Sequence, residues 1–184
     1  MRVLVVGLGG IGQRHMRNLR TLLRDEVEIL AQRSRGLGHV LTDNLTIQPN
    51  ADLETDYGIK SFVDLDEALS QQPDAVFVTN PSSLHLPVAL AAAEANCHLF
   101  IEKPLSNSMD GVDKLLELLQ RHQLVSLIGH QLRFHPCFRL VKRLIEEEAI
   151  GPLLSARLEI GEYLAGWHSF EDYRQMYASR RNMG

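Results

Sequence analysis

The sequence is poor in cysteine and has no excess of positive charge, no long apolar run and no recognisable metal-ligand spacing. Its two cysteines, Cys97 and Cys137, form neither a disulfide framework nor a metal motif, so a reducing compartment, the cytoplasm, is the expected home. The eight histidines include no H-E-x-x-H or similar set, which argues against metal-dependent hydrolysis, and the lack of G-x-S-x-G argues against a serine hydrolase. A net charge of −4, without a basic stripe interleaved with aromatics, argues against nucleic acid or an anionic membrane as partner. No apolar run approaches the roughly 18 residues of a membrane span. No small-residue cleavage site follows the apolar start, so no export signal is expected. What remains is a chain of 184 residues, 45% hydrophobic, long enough for one domain and part of a second. Small-molecule chemistry is the natural default.

The chemistry begins at the N-terminus. The apolar run Val3 to Val6 is followed by Gly7, Gly9 and Gly12 in the spacing G-x-G-x-x-G. Gly7 allows a tight turn, Gly9 lets backbone approach a pyrophosphate, and Gly12 lets a helix pack close to the strand. The helix opening near Gly10 and Ile11 points its N-H groups and positive dipole end at that anion. Gly12, Met16, Leu19 and Leu23 recur at helical spacing, and Arg14, Arg17, Arg20 and Arg24 form the opposite face, read as solvated. A second apolar run, Val27 to Ala31, leads to Arg33, Ser34 and Arg35, about 20 residues past the glycines, where cofactor choice is made. A carboxylate there would hold a free ribose 2′-OH and repel a 2′-phosphate, and none is present. A hydroxyl between two guanidiniums favours NADP(H), with NAD(H) the alternative and plain loop charge the bland reading of both arginines.

Further along, residues 36–58 read as mostly irregular with at most a short helix, and Ile59 to Val63 as a short strand. Asp64 caps a helix, with Glu67 at the capping-box position. Ala75 to Thr79 reads as a buried parallel strand, followed by a helix from Leu84 to Ala95 and a strand from His98 to Ile101. A helix from Met109 to Arg121 and a strand from Val125 to Ile128 complete the alternation. The expected fold is α/β, a doubly wound parallel sheet over residues 1–129. Beyond it, Phe138 to Glu148 reads as a helix with Phe138, Val141, Leu144 and Ile145 as its core stripe. Leu153 to Ile160 alternates like a half-exposed strand. Residues 130–184 are therefore expected to begin a second, incomplete α+β domain.

Ligands in such sheets bind beyond the carboxyl ends of the strands. Three candidate stretches lie there: Thr79-Asn80-Pro81 through His85, Glu102-Lys103-Pro104, and Gly129 through Arg133. Together with GLGGIG, Trp167-His168 and Glu171 through Arg174, they resemble the Gfo/Idh/MocA family of nicotinamide-dependent sugar oxidoreductases, over the whole chain. The resemblance implies that Lys103 is the active-site lysine, holding the reacting hydroxyl and the nicotinamide ribose. It implies that Glu102 lines the cofactor pocket and that Pro104 fixes the turn, often through a cis bond. Thr79, Asn80, Pro81 and His85 match the cofactor-contacting loop, with helix-start packing the alternative for His85. Arg133, Trp167, Tyr173 and Arg174 match substrate-pocket residues, and Trp167 could equally be core of the second domain.

The family's Asp and His, the latter its usual general base, have no match before Gly184. The chain is thus expected to be a fragment or truncated product, whose full-length form is a homo-oligomer. The function implied is hydride transfer between NADP(H) and a sugar or sugar-derived alcohol or ketone. A non-catalytic NAD(P)-binding module is the alternative.

Overall fold

Strand β1 (Arg2–Val6) is buried almost throughout, and the main sheet is laid out from it. The computed structural model describes residues 1–34, 39–168 and 170–183. Arg35 lies outside the described residues. Beside β1 on one side run β2 (Glu28–Gln32) and β5 (Lys60–Phe62), and on the other β6 (Ala75–Val78), β7 (His98–Ile101) and β8 (Ser126–Ile128). The order is β5-β2-β1-β6-β7-β8 and each pairing is parallel. Such an order reverses direction between β1 and β6, so a crevice opens at that point.

Alternate side chains leave opposite faces of a strand, and here both faces are buried. Val3 and Val5 join Met16, Leu19 and Ile29 in one core. Leu4 and Val6 join Leu30, Val76, Leu86, Ala89, Leu99 and Leu115 in the other. The first core lies under α1 (Gly10–Leu23), and the second under α4 (His85–Glu94) and α5 (Val112–Arg121).

Residues 40–57 are more ordered than expected. They hold a small antiparallel pair, β3 (Val40–Leu41) with β4 (Ile47–Gln48), then α2 (Leu53–Tyr57). Asp52 caps α2 by accepting from the Thr55 N-H at 2.8 Å, and α3 (Leu65–Leu69) starts on the equivalent Asp64 bond from Glu67 N-H at 2.9 Å. Helix α5 begins three residues later than the periodicity implies, because Gly111 stands at φ +88° and ends any helical run before it. The arginine face of α1 is only partly solvated: Arg17 bonds Asp43 and the Leu41 carbonyl, and Arg20 bonds the carbonyls of Val27 and Tyr57.

Two expectations beyond residue 130 need correction. The alternating segment 153–160 has no partner strand among the described residues, and a strand exists only through its ladder. Helix α6 (Pro136–Glu146) does form, with Pro136 at its first position. Its apolar stripe is not core, however: Phe138, Val141, Leu144 and Ile145 are all exposed, because no layer packs on them among the described residues. After a short helix α7 (Leu164–Trp167), the chain turns back to the sheet, where Met176 is buried and the Met183 carbonyl accepts from the Ser83 N-H at 3.2 Å. Among the described residues, no helix is long and apolar enough to cross a membrane.

Candidate active site

Register builds the site. Gln32, Val6, Val78, Ile101 and Ile128 stand side by side at the carboxyl ends of five strands. The residues that follow them, Arg33, Gly7, Thr79, Glu102 and Gly129, therefore form one continuous rim. The ladder carries on into it, through Gly7 N-H to Gln32, Thr79 N-H to Val6, Glu102 N-H to Val78 and Gly129 N-H to Ile101.

The three fingerprint glycines answer to different constraints. Gly7 has φ +92°, and a Cβ there would stand 2.9 Å from the Asn80 backbone. At Gly12 a Cβ would fall 2.0 Å from the Gly7 carbonyl oxygen and 2.8 Å from Thr79 Oγ1. Both glycines are demanded by the fold itself. Gly9 is different: its φ is −68° and its ψ −171°, open to any residue, and a Cβ would meet nothing within 4 Å among the described residues. The space above Gly9, at the N-terminus of α1, is where a phosphate would lie. Asn80, whose backbone lies against Gly7, has its Oδ1 buried without a hydrogen-bond partner among the described residues. Gly10 packs ordinarily near Leu41 and Phe170, and Ile11 is partly exposed on the same turn.

The buried polar or charged side chains among the described residues are Gln13, Thr79, Ser82, His85 and Glu102: Thr79 and Glu102 stand on the rim, Gln13 on α1, and Ser82 and His85 in the turn and helix that follow Thr79. Buried polar groups have to be hydrogen-bonded, and these serve as braces. Thr79 Oγ1 donates toward the Gly7 carbonyl at 2.6 Å. The Gln13 amide donates to the Leu8 and His39 carbonyls at 3.1 and 2.8 Å and accepts from Leu41 N-H at 2.8 Å, tying the glycine loop to β3. His85 has the surroundings of the helix-start packing reading. Its ring is 2% exposed, with its nitrogens facing the Asn80 and Pro104 carbonyls at 2.8 and 2.7 Å, so it joins two rim loops from beneath. Pro81 leads into the turn below it, and the Lys103–Pro104 peptide is cis.

Glu102 is held by both oxygens. His15 Nε2 donates to Oε1 at 2.7 Å, and Lys103 N-H donates to Oε2 at 3.2 Å. Burial pushes its carboxyl up, but the hydrogen bond and charge of His15, with the Lys103 N-H and ammonium, outweigh burial and bring it below the usual glutamate range. A depressed folded-state value gives stability that is present above the unfolded pKa of about 4.3 and is lost as pH falls through the folded value. Glu102→Gln is therefore expected to lower Tm at pH 7, with the gap to wild type shrinking as pH falls below about 4.3 in melts across the acid range. A constant gap would contradict it.

Lys103 is exposed at the head of this turn. Arg33 continues β2 through its N-H to Phe62 at 2.9 Å, and Ser34 next to it is exposed. Tyr173 and Arg174 border a cavity of about 360 Å³ with Leu164 and Met176, the guanidinium lying 4.7 Å over the Tyr173 ring. Arg133 sits exposed in the turn after β8 and does not border that cavity. Trp167 ends α7, and its side chain is outside the described set. Sequence reasoning missed Gln13 and His15. The signal was there, since Gln13 lies three residues before Met16 and His15 four before Leu19, polar residues at the helix's apolar spacing.

The sheet order and this rim define a dinucleotide-binding Rossmann domain. The family described as "Oxidoreductase family, NAD-binding Rossmann fold" matches residues 1–130, and the chain belongs to that family, Gfo/Idh/MocA. Among curated relatives, 4-carboxy-2-hydroxymuconate-6-semialdehyde dehydrogenase of Sphingobium is 29% identical over 89% of this chain and 48% of its own length. Myo-inositol 2-dehydrogenase of Thermotoga maritima is 29% identical over 82% of this chain and 42% of its own. Scyllo-inositol dehydrogenase of Lactobacillus casei, solved with NAD(H) and scyllo-inositol, superposes with a TM-score of 0.66 at 25% identity, covering 82% of this chain and 42% of that one. The chain thus spans about half the length of the curated relatives it matches or less.

Proposed function

We propose that the protein is a dehydrogenase moving hydride between a nicotinamide dinucleotide, NADP(H) by preference, and a sugar or sugar-derived alcohol or ketone. Residues 1–129 hold the cofactor, and residues 130–184 begin the substrate and oligomerisation domain. The observation carrying this reading is that the Gly9 backbone can be approached freely, at a glycine that the fold does not itself require, on the same rim as an exposed lysine. Relatives named as inositol dehydrogenases support the substrate class.

Oxidation of a carbinol breaks its C-H bond with loss of hydride, and its O-H bond with loss of a proton. The bound nicotinamide supplies the hydride acceptor. Gly9 and the N-terminus of α1 bind the pyrophosphate, and Asn80 Oδ1 accepts from the cofactor. The Lys103 ammonium holds the reacting oxygen and stabilises the negative charge growing there. The proton passes to a general base.

Titrating the 184-residue chain with NADPH and with NADH, read by nicotinamide fluorescence, tests the cofactor half. Tighter NADPH binding is expected, and binding of neither sinks it. Ser34→Asp is expected to shift the preference toward NADH by at least about tenfold, through repulsion of the 2′-phosphate. An unchanged ratio would remove Ser34 as selector.

A further inference from the structure

The pair His15–Glu102 joins two parts of the rim that different strands deliver. His15 stands on α1, the helix whose N-terminus faces the pyrophosphate site, and Glu102 opens the turn that carries Lys103. The two side chains are 16% and 12% exposed. The imidazole is wedged against strand aromatics, its centroid 4.7 Å from Phe100 and 5.6 Å from Phe77, and those two rings stack at 4.8 Å. Gly129 leaves the room the carboxylate needs: a Cβ there would come within 3.2 Å of both Glu102 Oε1 and Phe100 Cζ. A side chain so confined has little freedom left, and its Nε2 is committed to Glu102.

We propose that His15 is a positioning residue for the nicotinamide half of the site: it acts through Glu102 to hold the Lys103 turn at a fixed height over the phosphate-binding helix. The link runs from α1 to the His15 ring, to Glu102 Oε1, and from Glu102 Oε2 to the Lys103 main-chain N-H. Charge-assisted bonds of this kind are short and strong, and partial burial protects them from solvent competition. The adenosine half of a dinucleotide lies toward β2, and the nicotinamide half toward β6 and β7. Loss of the brace is therefore felt at one end of the cofactor only. The inference rests on the dinucleotide reading of the rim.

The test compares NADH with ADP, which carries the adenosine and pyrophosphate but no nicotinamide riboside. Dissociation constants are measured on the 184-residue chain, NADH by fluorescence and ADP by displacement. His15→Leu is expected to weaken NADH about tenfold and ADP less than twofold, and His15→Gln, which keeps an N-H donor, to recover most of the loss. Glu102→Gln combined with His15→Leu is expected to be no worse than His15→Leu alone, because both remove the same link. Equal weakening of NADH and ADP, unchanged NADH affinity, or additive losses in the double variant would overturn the positioning role. Should His15→Leu fail to fold, Glu102→Ala, which removes the same link from its other side, decides the question through the same comparison of NADH with ADP. Wild-type binding of ADP and NADH with no effect at His15 leaves the dinucleotide reading standing. Binding of neither by the wild type overturns both.

Discussion

Gly9→Val is expected to raise the dissociation constant for the dinucleotide at least about 100-fold, a loss of about 2.7 kcal/mol, while the variant melts within a few degrees of wild type. The separation of the two effects follows from the space around this residue. Its backbone conformation is open to any amino acid, and an added Cβ meets no described neighbour within 4 Å, so the fold itself offers that carbon no resistance. What the isopropyl group does occupy is the volume above the N-terminus of α1 that a pyrophosphate needs. Gly12→Val is the matched control. There the Cβ alone overlaps the Gly7 carbonyl at 2.0 Å and crowds Thr79 Oγ1, and both are parts of the rim that cannot swing aside. Forcing helix from strand is expected to cost about 3 kcal/mol or more and to lower Tm steeply. Thermal melts and nicotinamide titrations on the two variants check both halves. A Gly9→Val variant that binds normally would leave the fingerprint without its ligand.

The difference between those glycines also marks how far the sequence could be read. The sheet was legible because parallel strands covered on both faces appear as short apolar runs. Val3 to Val6, Ala75 to Val78 and His98 to Ile101 lie within a residue of where the pattern puts them. The rim was legible because register carries the next residue of each strand to one edge, so that the fingerprint, Thr79 and Glu102 come together without further information. The β3–β4 pair was not legible. It has two residues a side, held by a Thr42–Thr46 turn and by the Gln13 amide from another element, and no periodicity can announce that. The segment 153–160 failed for the opposite reason: alternation says which faces differ but not whether a neighbouring strand is present. His15 and Glu102 are separated by 87 positions, and their pairing appears only once the sheet brings α1 beside β7.

Lys103→Ala is expected to lower kcat about 1,000-fold, equivalent to about 4 kcal/mol of transition-state stabilisation, while changing cofactor affinity less than about threefold. Lys103 is exposed at the mouth of the rim, whereas on the proposed reading the pyrophosphate is met by backbone from Gly9 and α1. The side chain therefore adds little to ground-state cofactor binding. On the proposed chemistry its contribution would grow as the C-H bond breaks and charge collects on the substrate oxygen, which a nearby ammonium stabilises most in the transition state. Lys103→Arg separates charge from placement. A guanidinium keeps the positive charge but presents a longer planar fork rather than a compact point donor, so it is expected to recover less than about a tenth of the lost rate. Steady-state kinetics with a polyol substrate, together with the same nicotinamide titration, measures the two quantities independently. A kcat within about twofold of wild type for Lys103→Ala would remove the lysine from the chemistry. Equal losses in kcat and cofactor affinity would instead reduce it to a binding residue, and the search for the group that stabilises the oxygen would then move along the rim to His130 and Arg133, which follow β8.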